Sequence, residues 1–212
     1  YEETSQADMQ GILDSQRKAY LAEGDVSAAT RIDRLERAIQ AVKKHQKDFV
    51  EAMNEDFGHR SEHQSMFTDI ASSIGPLRHA QQHLKHWVKK DKRKVTPGIL
   101  ALLGAKSWVE YQPLGVVGVI SPWNFPVNLT FTPLAGILSA GNRCMIKPSE
   151  YTPATSAAMA IAFAEAFDEE EIAVVTGGPQ TGSDFSGLAF DHLLCTGATS
   201  VAKHVMRAAS AN

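Results

Sequence analysis

The chain has 212 residues, 43% hydrophobic and 21% charged, enough to bury one sizeable core, or one domain with part of another. Its formal net charge of -3, from 21 Lys and Arg against 24 Asp and Glu, gives no field that would draw it onto nucleic acid or anionic lipid. The two cysteines, Cys144 and Cys195, lack CxxC or Cys/His spacing, which argues against a disulfide framework or a structural zinc site. Apolar segments are interrupted by Gly, Pro and Asn short of a membrane span, and no charged-then-apolar leader opens the chain. A cytoplasmic protein with small-molecule partners is therefore expected, with neither membrane nor nucleic acid among them. Tyr1 at the start and Ala211-Asn212 in a helix-like pattern read as the limits of a piece of a longer protein.

Met9, Ile12, Leu13 and Tyr20 at helical spacing predict a first helix over 8–22, stopped by Gly24. From Ser27, the residues Ile32, Leu35, Ile39, Val42, Phe49 and Met53 predict one long amphipathic helix up to Gly58. Ser61 and Gln64 offer a capping box for a third helix to about Lys90, which Pro76 is expected to kink. Beyond Lys94 the texture changes to Pro, Gly and alternating residues around Trp108, and strands are expected. Gly115 to Ile120 reads as a strand covered on both faces, followed by a helix over 128–140. The alternation then repeats: strand at 144–146, helix at 153–167, strands at 172–175 and 192–195, and a last helix from about Ser200. This predicts an α/β fold, with amino-terminal helices (1–94), a strand or hairpin segment (95–114) and an incomplete doubly wound parallel, Rossmann-like sheet (115–212).

Three strand-to-helix turns carry the candidate chemistry, because ligands of open parallel sheets bind at the carboxyl ends of strands. In Ser121-Pro122-Trp123-Asn124, the Asn124 amide offers two donors for an oxyanion, although a lone Asn also suits a turn. In Lys147-Pro148-Ser149-Glu150, the cation and carboxylate suit the two hydroxyls of an adenine ribose; the plainer reading is an exposed ion pair. Gly197-Ala198 opens a helix whose free amides can meet a pyrophosphate, a weak signal alone. No GxGxxG is present.

Together with Pro113-Leu114-Gly115-Val116-Val117-Gly118-Val119, and in this order, these segments resemble the aldehyde dehydrogenase superfamily from about Arg31 onward. Asp56-Phe57-Gly58-His59-Arg60 and Glu110 to Gly115 are similar to its coniferyl aldehyde dehydrogenase branch. The resemblance implies the amino-terminal portion of an enzyme that oxidises an aldehyde to a carboxylic acid with NAD, or alternatively NADP. It makes Asn124 the catalytic oxyanion donor. It assigns Ser121, Pro122, Trp123, Lys147, Pro148, Ser149, Glu150, Gly197 and Ala198 to the cofactor, with no metal. The family's cysteine nucleophile and glutamate base follow a Glu-Leu-Gly-Gly-Lys-like segment that is absent here, so this chain alone is expected to be inactive. Many members carry Ser or Thr where Ala198 stands. A homodimer, with 95–114 linked to oligomerisation, is implied for the intact protein. A non-catalytic nucleotide-binding or interaction module is the alternative.

Other residues read as structural. Cys195 falls at an inner strand end and is expected to pack rather than react. His79, His83 and His86 share a helical face without a further ligand type nearby and read as a solvated face. The basic run Lys89 to Lys94 is expected to meet a helix terminus and water.

Overall fold

A computed structural model describes residues 3–212. The first helix, α1 (Gln6–Glu23), starts where Ser5 accepts from the Asp8 amide and stops at Gly24, whose φ of 65° needs no Cβ. The expected single helix from Ser27 to Gly58 is two, α2 (Ala28–Lys44) and α3 (Gln46–Phe57). The break is at His45, whose φ and ψ of −98° and 14° leave the helical region. Its buried imidazole bridges Asp48 at 2.8 Å and Glu165 at 3.0 Å, partners that apolar periodicity does not reveal.

The third expected helix is also composite: α4 (Glu62–Ser65), a π-helical stretch (Met66–Ala71) and α5 (Ser72–Trp87). Ser61 supplies its half of the capping box, accepting from the Gln64 amide at 3.2 Å. Pro76 sits inside α5 just beyond the widened turns. The basic run does not simply end a helix. Its middle is β1 (Asp91–Arg93), which after α6 (Gly98–Leu102) pairs antiparallel with β2 (Ser107–Val109). Lys90 bridges Glu110 at 2.9 Å and lies 4.8 Å over the Trp108 ring, so charges seen as a block in sequence are paired across the ribbon.

The remaining elements are β3 (Val116–Ile120), α7 (Asn128–Ala140), β4 (Arg143–Lys147), α8 (Pro153–Ala166), β5 (Ile172–Val174), α9 (Pro179–Ser186), β6 (His192–Cys195) and α10 (Thr199–Ala209). Helix α9 was not anticipated: Thr181, Gly182 and Ser183 are poor helix formers, yet Phe185 is buried and Pro179 occupies its first turn. The strands form one parallel sheet in the order β5-β4-β3-β6, with helices on both faces. The chain is α/β.

Strand alternation sorts the core into two layers. Val117, Val119, Cys144, Ile146 and Ile172 face α2, α3, α5, α7 and α8, while Val116, Met145 and Ala173 face α1 and α9. Gly118 in β3 fits because a Cβ there would come within 2.7 Å of Phe190 and Leu193. A charged network ties the layers together. Arg34 meets Glu23 at 2.7 Å and Glu171 at 2.8 Å, Arg37 meets Glu171 at 2.7 Å, and Arg143 meets Glu23 at 2.9 Å.

At the centre, buried Phe131 stacks on Phe163 with ring centroids 4.7 Å apart and meets Phe49 edge-on at 6.1 Å. Phe131→Ala should destabilise the protein by about 3–5 kcal/mol, from lost transfer energy plus a residual cavity. Urea unfolding measures this; a loss below about 1 kcal/mol would deny the stack its central role.

Candidate active-site cleft

The parallel register brings three strand ends level. Ile120, last in β3, pairs with Lys147 of β4 on one side and Cys195 of β6 on the other. The ladder continues one step further, Ser121 N–H donating to the Lys147 carbonyl and Thr196 N–H to the Ile120 carbonyl, both at 3.1 Å. After β3 the chain moves outward to β4 and β5, then crosses back to place β6 on the other side. That reversal leaves a crevice between neighbouring strand ends, the usual ligand position in such sheets. An open cleft of about 530 Å³ lies there, and all the candidate residues from the three turns line it. Tyr151 lines it as well, as do Leu129 and Val201, which apolar patterning alone would assign to helix faces. A larger recess of about 680 Å³ lies beside α1 and β5, away from these strand ends, with Glu3, Asp8 and Glu169 on its wall.

Asn124 is exposed in the cleft, and its side-chain amide makes no hydrogen bond within the described residues. Its backbone, by contrast, is held: the Asn124 carbonyl accepts from Arg60 Nη1 at 2.8 Å. Trp123, beside it, is half exposed, with its ring centroid 6.3 Å from that of Phe57.

Lys147 Nζ lies 2.9 Å from Glu150 Oε2, with the lysine side chain 3% exposed and the glutamate 27%. The pair is thus neither fully solvated nor sealed. Burial alone would raise the Glu150 carboxyl, but its own backbone amide and Lys147 outweigh this and leave it below its ordinary value. Glu150 is accordingly an ionised acceptor at neutral pH. The lysine stem passes 3.7 Å from where a Cβ on Gly182 would lie, so unforeseen α9 backs the site.

The helix starts around the cleft differ. Asp69 in the π-helical stretch accepts from the Val127 and Asn128 amides, both at 3.1 Å, and so caps α7. Asp56 of α3 caps α8 through the Ala154 and Thr155 amides at 2.9 and 2.8 Å. Helix α10 has no such acid. Its cap residue is Ala198, and among the described residues no side chain accepts from its first-turn amides. Its positive end faces the cleft. A Cβ on neighbouring Gly197 would meet nothing within 4 Å, so the protein's own packing does not require glycine there, and the gap suits close approach of a ligand to the backbone.

Sequence named Asp56 and Arg60 only within a branch-like stretch, without a role, and did not single out Asp69. Asp69 carried a signal, a carboxylate on the helical face that buries Ser73, Leu77, Ala80 and Leu84. Burial raises the Asp69 carboxyl above its ordinary value, against the opposing pull of the Asn128 amide and Arg60. His79, His83 and His86 are exposed, with the first two rings stacked at 4.2 Å. No group of three metal-binding side chains occurs among the described residues, and no helix among them is long and apolar enough to cross a membrane.

The aldehyde dehydrogenase family model matches residues 1–212. The chain belongs to that family. It is 60% identical over 204 residues to a probable coniferyl aldehyde dehydrogenase of Caulobacter vibrioides, covering 96% of this chain and 42% of the relative. It is 47% identical over 200 residues to a coniferyl aldehyde dehydrogenase of Pseudomonas, covering 94% of this chain and 40% of that protein. Among solved structures, a substrate-bound Staphylococcus aureus AldH superposes with a TM-score of 0.89 at 29% identity, over 96% of this chain and 44% of the other. The chain thus spans about two fifths of the length of these relatives.

The cleft's cysteine is a weak nucleophile by its surroundings. Cys195 is half-buried, and burial raises its thiol above the ordinary value, which disfavours the thiolate. Iodoacetamide should therefore label Cys195 more slowly than free cysteine at neutral pH, and the rate should still be rising above the ordinary thiol value of about 8.5, where free cysteine levels off. Labelling at neutral pH faster than free cysteine would reopen a catalytic role.

Proposed function

We propose that this chain forms the cofactor-binding part of an enzyme that oxidises an aldehyde to the carboxylic acid with NAD, NADP being the alternative. The observation that carries the reading is convergence: an unbonded Asn124 amide, a Lys147–Glu150 pair and an acid-free α10 start share one cleft. In this reading Lys147 donates to, and Glu150 accepts from, the adenosine ribose. Gly197, Ala198 and the α10 amides hold the pyrophosphate, with Ser121, Pro122, Trp123, Pro148 and Ser149 shaping the walls. The bound dinucleotide supplies the hydride acceptor. Asn124 donates to the oxygen on which negative charge develops. The nucleophile and general base belong to sequence outside this chain, so the chain alone does not turn over.

The relatives named as coniferyl aldehyde dehydrogenases support an aromatic aldehyde as substrate, and Trp123 and Phe57 near Asn124 agree with this. The half-exposed edge strand β6 supports a further strand outside the chain. Exposed Ile99, Leu100, Leu102, Leu103 and Trp108 support 95–114 as a segment that meets a second copy in a homodimer. In the same division, 1–94, helical up to β1, belongs to the cofactor domain and 115–212 is its Rossmann-like part.

In the full-length protein, Asn124→Ala should lower kcat by about 10²–10³ while leaving NAD affinity nearly unchanged, since the donor acts on developing charge. Turnover within a few-fold of wild type would remove Asn124 from the oxyanion role. Cofactor choice follows from Glu150. An ionised carboxylate at the ribose repels the 2′-phosphate of NADP, so NAD should bind more tightly and Glu150→Gln should narrow the difference. Titration of both cofactors into both proteins tests this; an unmoved NAD/NADP ratio would show that Glu150 does not read the ribose.

A further inference from the structure

The turn that carries Asn124 is gripped from behind by a buried ion pair. Arg60 and Asp69 have side chains 4% and 0% exposed and contact each other through Nη2 and Oδ2. Arg60 also donates from Nη1 to the Asn124 carbonyl at 2.8 Å and from Nη2 to Thr68 Oγ1 at 3.1 Å. Asp69 turns its other oxygen to the amides of Val127 and Asn128. The segment 124–128 is thus fixed at its carbonyl end by the cation and at its amide end by the anion. The guanidinium lies 4.8 Å over the Phe57 ring and 5.4 Å from the Phe125 centroid, which keeps water from competing for these bonds.

Stability alone is a poor account of such a pair. Desolvating two charges costs several kcal/mol, and an apolar replacement of similar volume is often as stable or more so. Here Arg60 Nε has no hydrogen-bond partner among the described residues, a further cost. The pair delivers directionality: three hydrogen bonds to the backbone within one turn, two of them to consecutive amides and one to the carbonyl of Asn124 itself.

We propose that Arg60 and Asp69 are positioning residues for catalysis, clamping the 124–128 turn so that the Asn124 side-chain amide points at the developing oxyanion. This rests on the oxyanion role given to Asn124 under Proposed function. A displacement of about 1 Å at a reacting centre can cost about 10²-fold in rate. Lysine at position 60 keeps the charge but cannot span Asp69 and the Asn124 carbonyl with one rigid fork.

The test is a double-mutant cycle in the full-length protein with an aromatic aldehyde and NAD. Arg60→Lys should lower kcat by about 10- to 100-fold, with NAD affinity within about two-fold of wild type and an unchanged far-UV spectrum. In an Asn124→Ala background the same substitution should change kcat by less than about two-fold, because the group it positions is gone. Asp69→Asn, which preserves shape and the amide-facing oxygen, should show the same non-additivity and serves if Arg60→Lys does not fold. Equal losses in both backgrounds would assign the pair to general structure and overturn the proposal, as would failure of both single variants to fold. Wild-type kcat in Asn124→Ala alone would remove the oxyanion reading and this proposal with it, a distinct result because it is read with the ion pair intact.

Discussion

Parallel pairing of β3 between β4 and β6 is the constraint on which the rest of this structure depends. Because β3 is central, its residues from Val116 to Val119 are buried and side chains of both faces must be apolar or absent. Because its neighbours run in the same direction, each connection must travel back across a face of the sheet, and helices provide that path. The same alignment that forces helices onto both faces brings Ser121, Pro148 and Thr196 out of the sheet together at one edge. The cleft is a consequence of the topology before it is a property of any side chain.

The outer helices contribute more than cover. Asp56 and Asp69 come from the part of the chain that precedes the sheet, and each occupies the start of a helix that follows one of its strands. These contacts give the early helices a fixed relation to the turns they approach. They also distinguish three positive helix ends: two are capped by protein carboxylates, and the third, at α10, has no side-chain acceptor among the described residues. The field around the cleft is set by where acids are present as much as by where they are missing.

Much of this was readable from sequence. The boundaries of α7 and β6 follow from apolar runs closed by Gly or turn residues, and the three candidate turns fall where strands give way to helices. What escaped has a common physical cause. His45 interrupts a helix through bonds to Asp48 and to Glu165, the latter 120 positions away, and Lys90 and Arg93 face acids across a ribbon or beside them; local periodicity carries no record of such partners. Helix α9 was lost because Gly182 and three hydroxyl-bearing residues lower its local propensity, while burial of Phe185 under the sheet stabilises it. The roles of Arg60 and Asp69 were missed because each acts on backbone more than 50 positions distant. Local chemistry is written locally; the supports of that chemistry are not.

The widened turns at Met66–Ala71 have a consequence for how this sequence can change. A π-helical stretch accommodates one residue beyond the α-helical count, and an α-helix advances about 100° per residue. Within it, Asp69 is bound to the α7 start; downstream, phase is set by Leu77, Ala80 and Leu84 in the core. The stretch therefore has to satisfy the polar contact at α7 and the apolar core at once. Loss of one residue between Met66 and Ser72 would straighten the helix locally yet force a choice, either rotating Asp69 off the turn or rotating the leucines out of the protein. Length in this segment is therefore held more tightly than identity, and an indel there is a graver event than most substitutions.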